Sequence, residues 1–181
     1  MKHLHLIIPI VLFVLMAFLG IYLYESISQD QYNIEKEKLE LQKVNSESRK
    51  KLEKVDKISK FLRKHSSPLY PYASHIVDEA EKNGIDYRLI PAIAMNESTL
   101  CKAIPQNSYN CWGWGIYGDK ITRFTSYNDA ITVISKGLKK NYYDRGMASP
   151  SAIMTAYTPS SPDGIWAKKI HKWYAEIDPS N

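Results

Sequence analysis

The chain has 181 residues and a net charge of +5, which arises from 24 basic and 19 acidic side chains. This length allows one modest domain with accessory segments. The basic residues alternate with acidic ones, a pattern typical of solvated helices that gives no signal of nucleic-acid binding. Weak attraction to anionic lipid head groups or wall polymers stays open.

Residues 6–24 are the first predicted element, an apolar run of 19 residues without charge. Such a run can cross a bilayer as a helix. Lys2 precedes it and no Lys or Arg lies between Glu25 and Glu35, so the positive-inside bias predicts a cytoplasmic N-terminus over residues 1–5 and an extracytoplasmic body. A cleaved signal peptide is the competing interpretation, but the run is long and lacks a good small-residue cleavage site. No cysteine follows directly, which argues against a lipoprotein anchor.

Residues 25–64 contain no glycine or proline, which predicts a helical stalk. Apolar residues recur at two heptad positions, with interruptions at Glu37, Ser48 and Lys51: Ile34, Leu41, Val55 and Leu62 at one, Val44 and Ile58 at the other. The pattern is compatible with a coiled coil, which would make the protein a homodimer through its stalk. A single charged helix that only spaces the domain from the membrane is the alternative.

The segment from His65 to Pro71 breaks the helix, so a compact domain is predicted over residues 70–178. Apolar residues at helical spacing, with no alternating strand pattern, predict that this domain is mainly α. The predicted helices run from Ala73 to a stop at Asn83–Gly84, over residues 86–100, from a cap at Ser126 or Asn128, over 150–157, and over 166–177. In the second of these, Asp86 is a candidate N-cap, and Pro91 is expected to introduce a kink.

Glu97 stands where an apolar residue is expected. Ile90, Ile93, Ala94 and Glu97 follow the spacing i, i+3, i+4, i+7 and share one helix face. Burial would favour the protonated carboxyl over the ion, and a protonated carboxyl is what general-acid catalysis requires. The alternatives are a Glu neutralised by Lys or Arg, and a helix end that reaches water.

Cys101 and Cys111 are the two cysteines and lie close in sequence. In an oxidising compartment they are predicted to form a disulfide that closes a short loop. A metal site there lacks enough nearby His or Cys ligands, so no metal and no cofactor is predicted.

Two further segments carry candidate ligand contacts. The loop Asn110-Cys-Trp-Gly-Trp-Gly-Ile-Tyr-Gly118 combines three glycines with aromatic rings. Glycine allows close approach of the backbone to a ligand, and aromatic rings offer flat faces to sugars. Ala156-Tyr-Thr-Pro159 places a tyrosine at a helix end before a loop rich in proline and serine.

Together these motifs resemble the lysozyme-like superfamily over roughly residues 72–177. Within it, Ala94-Met-Asn-Glu-Ser98 is similar to soluble-type lytic transglycosylases. Asn110-Cys-Trp-Gly113 and Phe124-Thr-Ser-Tyr-Asn-Asp-Ala-Ile131 are similar to N-acetylglucosaminidase autolysins, and Ala156-Tyr-Thr-Pro159 matches a late motif of the superfamily. The Gly-Leu-Met-Gln segment of transglycosylases is absent, which leaves the subtype open.

The resemblance implies a lysozyme-like, membrane-anchored glycosidase in which Glu97 is the acid that cleaves β-1,4 bonds between amino sugars of peptidoglycan. It implies substrate contacts at six positions: Ser98, Asn110, Trp112, Trp114, Tyr117 and Tyr157. Purely structural roles are the alternative at four of these positions: both tryptophans and Tyr157 could be packing residues, and Asn110 could be a turn former.

Glycosidases commonly use a second carboxylate, and the loop residues Asp119 and Asp163 are the candidates. Asp129 has the position of a helix-start residue, which suits capping better. Substrate assistance, in which the acetamido oxygen of the sugar attacks the anomeric carbon, is the preferred alternative. A function of a different class, a non-catalytic bitopic scaffold or glycan-binding protein of the cell envelope, also fits this layout.

Overall fold

The computed structural model describes residues 4–180, and it describes side chains for residues 10–161 and 163–180. Residues 1–3 of the predicted cytoplasmic segment 1–5 lie outside the described residues. The chain divides into two compact units, Met1–Arg49 and Lys50–Asn181.

The described chain is mainly helical, as predicted, and residues 4–180 contain no strand beyond an isolated bridge between Tyr117 and Lys120. The α-helices are α1 (Leu4–Lys64), α2 (Ala73–Asn83), α3 (Leu89–Ser98), α4 (Tyr127–Asn141), α5 (Pro150–Tyr157) and α6 (Ile165–Ile177). Short 3-10 turns occur at Tyr70–Tyr72, Tyr143–Arg145 and Pro162–Gly164.

In the first unit, the described side chains of α1 do not form a hydrophobic core. Every described side chain from residue 10 to residue 49 is exposed. Among the described residues, α1 is the one helix long and apolar enough to cross a membrane by length and composition. Three of the heptad residues, Ile34, Leu41 and Val44, are exposed here.

The last turns of α1 belong to the second unit. Ile58, Phe61 and Leu62 are buried in the hydrophobic core of that unit. Lys54 pairs with Glu81 of α2 at 2.7 Å, which adds a polar contact beside the apolar one. The compact unit therefore begins at Lys50 rather than at the predicted residue 70, and two residues of the heptad pattern are explained by this core.

Helix α3 runs through the centre of the second unit. All residues from Leu89 to Ala94 are buried, so this part of the helix has no solvated face. The helix begins at Leu89, and Asp86 stands before it, where its Oδ1 accepts the backbone N–H of Arg88 at 2.9 Å. The expected kink at Pro91 is wrong, because Pro91 is the third residue of the helix, where a missing N–H costs nothing.

Helix α4 packs against α2, and α6 packs against α3. Ser126 is the N-cap of α4, as predicted: its hydroxyl accepts the N–H of Asp129 at 3.1 Å. Asp129 Oδ2 in turn accepts the N–H of Thr125 at 3.0 Å, so this carboxylate has the capping role expected for it. The loop between α3 and α4 is thereby fixed at the end that enters α4.

Candidate functional site

The chain leaves α3 through a tight turn that aims the following loop back over the helix end. Thr99, Leu100 and Cys101 have successive positive φ angles of 52°, 57° and 70°. Left-handed residues other than glycine are costly and persist where surrounding contacts fix them. The Cys101–Cys111 disulfide, formed as predicted, supplies one such contact.

Ser98 supplies the other contact. Its Oγ accepts the N–H of Cys101 at 2.9 Å and lies 2.8 Å from the carbonyl oxygen of Cys111. The side chain is buried, and its hydrogen bonds go to backbone. Ser98 therefore joins the end of α3 to the disulfide loop.

The side chain of Asn110 is hydrogen-bonded to the backbone of the glycine-rich loop and holds the loop in shape. Its Oδ1 accepts the N–H of Trp114 at 3.1 Å, and its Nδ2 donates to the carbonyl oxygens of Trp114 and Thr122 at 2.8 and 3.0 Å. Only 2% of the residue is exposed. Asn110 is a turn former here, the plainer of the two roles that the sequence left open.

The two tryptophans of this loop have different environments. Trp112 is 1% exposed and donates its indole N–H to the carbonyl oxygen of Ile90 at 2.9 Å, so it anchors the loop to α3. Trp114 is half-buried and lies on α4, where a Cβ added at Gly137 would come within 2.4 Å of its ring. Gly137 thus provides the space for this ring.

The loop, the end of α3, α5 and the start of α6 enclose a pocket of about 620 Å³. Its lining includes Glu97, whose side chain is exposed. The expectation that Glu97 is buried is therefore wrong. In the last turn of α3 Ser98 stays buried, but the side of the helix that carries Glu97 is not covered. The carboxylate therefore reaches solvent, which was the second alternative.

The carboxylate of Glu97 is held at one oxygen. Trp166 Nε1 and Asn96 Nδ2 donate to Oε1 at 2.9 and 3.0 Å. The other oxygen, Oε2, faces the loop, since a Cβ added at Gly113 would lie 4.0 Å from it. Gly113 has a φ of +64°, so glycine is favoured there for the backbone and also leaves space beside Oε2.

Tyr157 supports this arrangement from α5. Its hydroxyl donates to the carbonyl oxygen of Trp112 at 2.6 Å, and its ring lies 5.2 Å from that of Trp166, tilted by 32°. Burial raises the pKa of Tyr157, and the nearby charge of Glu97 raises it further. The hydroxyl therefore stays protonated and fixes both the loop and the indole that holds Glu97.

The pocket brings together part of the predicted site. Four of the six predicted contact residues line it with Glu97: Trp112, Trp114, Tyr117 and Tyr157. Ser98 and Asn110 do not line it. Asp119 and Asp163 are exposed and also lie outside its lining, in which Glu97 is the one carboxylate.

Five polar or aromatic residues of the lining were not predicted as site residues: Asn96, Asn141, Tyr142, Thr158 and Trp166. In the sequence pattern, Trp166 is only the first residue of the last predicted helix. A buried indole N–H needs a hydrogen-bond acceptor, so the sequence could have indicated that Trp166 has a polar partner. It could not identify that partner as Glu97, which lies 69 residues away in sequence.

In the part of the chain that the structure describes, no three His, Cys, Asp or Glu side chains lie together as a metal site. No protein-family model matches the chain, and a search of curated proteins finds no match to it. The geometry of the pocket is therefore the main guide to function.

Proposed function

We propose that the second unit is a lysozyme-like domain that cleaves β-1,4 bonds between amino sugars of peptidoglycan, with Glu97 as the general acid. The observation that carries this proposal is the state of the Glu97 carboxylate, which is exposed in a pocket and held by two donors at Oε1.

When Glu97 acts as the acid, Oε2 is the oxygen that carries the transferable proton, because Oε1 accepts two N–H donors. Oε2 donates that proton to the glycosidic oxygen while the bond from this oxygen to the anomeric carbon breaks. The leaving sugar takes the electron pair together with the proton. Glu97 is then a carboxylate and can accept a proton in the second step.

The second step favours substrate assistance over a protein nucleophile. Glu97 is the one carboxylate in the pocket lining, and neither Asp119 nor Asp163 contributes to it. As the glycosidic bond breaks in the first step, the acetamido oxygen of the substrate therefore attacks the anomeric carbon and forms a cyclic intermediate. In the second step Glu97 deprotonates water in hydrolysis, or a hydroxyl of the same sugar in transglycosylation. The resulting oxygen nucleophile attacks the anomeric carbon, and the bond to the acetamido oxygen breaks.

The aromatic wall supplies the binding surface for the glycan. Trp114 and Tyr117 line the pocket on the side of the glycine-rich loop, and neither is buried. Their ring faces suit the apolar faces of sugar rings. Trp112 contributes through the position of its backbone, because its own ring is buried.

The layout of the chain suits a substrate outside the membrane. Residues 6–24 would cross the bilayer with residues 1–5 in the cytoplasm, and the charge pattern after the span orients the second unit outward. A homodimer through the stalk would use the exposed residues Ile34, Leu41 and Val44 as its seam.

Product analysis tests this function. The full chain in detergent micelles is incubated with purified peptidoglycan, and the soluble fragments are identified by mass spectrometry. New reducing ends indicate hydrolysis, and anhydro-sugar ends indicate transglycosylation. Intact glycan at high protein concentration would contradict the proposal and leave a glycan-binding or scaffold protein.

A further inference from the structure

A second cavity adjoins the Glu97 pocket on the side of α6. It has a volume of about 300 Å³ and is lined in part by Asn96, Thr158 and Trp166, which also line the first pocket. Asn96 and Trp166 are the two donors to Glu97 Oε1. Glu97 therefore stands at the junction of a groove with two arms.

The two arms differ in charge. The lining of the first pocket contains Glu97 and no Lys or Arg. The lining of the second cavity contains Lys169 and no carboxylate, and its other polar groups include the hydroxyls of Ser160 and Ser161. A ligand that fills both arms thus meets aromatic rings on one side of Glu97 and a cation on the other.

Lys169 is available to such a ligand. It is exposed, on the same face of α6 as Trp166. Among the described residues, none forms a salt bridge with it. Other lysines of this unit, such as Lys54 and Lys57, are paired with acids.

We propose that the second cavity receives a carboxylate-bearing sugar, with Lys169 as the partner of the carboxylate, while neutral rings occupy the aromatic arm. This inference rests on the proposed function and narrows its substrate to acidic glycans with a fixed orientation in the groove. The ammonium group of Lys169 attracts the carboxylate, and the serine hydroxyls can donate to its oxygens.

The expected discrimination is modest because Lys169 is exposed. Ion pairs of exposed groups correspond to a preference of about two- to fivefold at low salt. The preference falls as ionic strength rises, since the Debye length shortens to about 3 Å at 1 M salt. Salt dependence therefore separates the carboxylate contact from stacking on the aromatic wall.

The test measures binding by the full-length Glu97→Gln chain, which cannot consume the ligand under the proposed mechanism. Calorimetric titrations compare three tetrasaccharides: a peptidoglycan fragment with free carboxylates, the same fragment with its carboxylates converted to methylamides, and the neutral N-acetylglucosamine tetramer. Each is repeated with Lys169→Ala added. Lys168→Ala is the matched control, because Lys168 is the exposed neighbour on α6 and lines neither cavity.

The expected result is tighter binding of the acidic fragment than of its methylamide, a difference that Lys169→Ala removes and Lys168→Ala keeps. Equal binding of the two fragments, or a difference that survives Lys169→Ala, overturns the inference. Cleavage of peptidoglycan by the unmutated chain is scored separately. Cleavage without discrimination overturns this inference alone, whereas discrimination without cleavage overturns the proposed function and supports an acidic-saccharide site.

Discussion

Glu97 and Asp178 are hydrogen-bonded carboxylates of the same compact unit with opposite environments. Asp178 is 4% exposed and accepts hydrogen bonds from Lys57 Nζ, the Tyr87 hydroxyl and the Ser180 hydroxyl at 2.9, 2.8 and 2.6 Å. These donors come from α1, from the chain before α3 and from the C-terminal segment. Asp178 thus joins three parts of the unit and has little room for a ligand.

Glu97 is exposed, and its two donors both occupy Oε1. Its second oxygen faces a pocket instead of the protein interior. The number of hydrogen bonds alone therefore does not distinguish a structural carboxylate from the one proposed as the acid. The two differ in exposure and in access to the pocket.

The largest expected effect is the loss of glycan cleavage when Glu97 is substituted. Glu97→Gln keeps the size of the side chain and an oxygen for the two donors but has no acidic proton. The rate of glycan cleavage should fall about 10²- to 10⁴-fold, the usual contribution of general acid–base catalysis. The melting temperature should stay within a degree or so, because little is buried there. Kinetics on purified peptidoglycan and circular-dichroism melts measure both quantities.

Asp178→Asn should have the opposite profile. Loss of the charge weakens hydrogen bonds to Lys57 and Tyr87 in a buried site, which should lower the free energy of unfolding by about 1–3 kcal/mol. Urea titration measures this change. Asp144→Asn is the matched control: Asp144 pairs with Lys139 at 2.6 Å, but its side chain is 50% exposed, so its loss should be nearly neutral. Equal effects of the two variants would contradict the structural role of Asp178.

Trp166→Phe tests the donor that holds Glu97. The variant keeps most of the buried ring but removes the indole N–H at Oε1. The cleavage rate should fall about tenfold, because this hydrogen bond stabilises the carboxylate that forms as Glu97 gives up its proton. The drop should appear in kcat rather than in KM if Trp166 positions Glu97. Trp173→Phe is the control, since the buried indole N–H of Trp173 has no partner within the described chain. A similar loss in both variants would indicate a packing effect.

The smallest effect is the pH dependence of stability. Hydrogen bonds from Ser180 and Lys57 hold the pKa of Asp178 well below its ordinary value. A carboxyl whose pKa is lower in the folded than in the unfolded chain stabilises the fold above the unfolded pKa, about 3.9 for Asp. This contribution is lost as the pH falls through and below that value. Urea titrations from pH 6 to pH 3 should therefore show a shallower loss of stability for Asp178→Asn than for the unmutated chain.

Much of the helical architecture follows from local patterns. Ser126 caps α4, α5 has its predicted bounds, and α6 begins one residue earlier than expected. These features depend on residues close in sequence, such as a cap and the apolar stripe after it. The predicted mainly α class depended on the same spacing.

The extent of the compact unit did not follow from such patterns. Ile58 and Leu62 have heptad spacing, which serves a partner helix or a domain core equally well. Only the three-dimensional packing shows that Ile58 and Leu62 are buried in the core of the second unit. Periodicity also could not show that Glu97 is exposed, because Leu89–Ala94 is buried on every side and has no polar face that would indicate which side of the last turn is uncovered.

The roles inside the site were predictable only in part. Ser98 and Asn110 belong to the motifs, yet both turn inward and bond to backbone. Trp166 is distant in sequence and contacts Glu97 directly. Whether a polar side chain faces a ligand or a peptide group depends on the path of the loop, which three left-handed residues and a disulfide determine.

The central claim is tested most directly by one crossed measurement on Glu97→Gln and Asp178→Asn. Cleavage rate and melting temperature are determined for both full-length variants in the same peptidoglycan assay. We expect Glu97→Gln to lose most of the cleavage rate and to keep the melting temperature. We expect Asp178→Asn to have a lower melting temperature and, at assay temperatures well below it, an unchanged cleavage rate. An unchanged cleavage rate in Glu97→Gln would contradict the assignment of Glu97 as the acid.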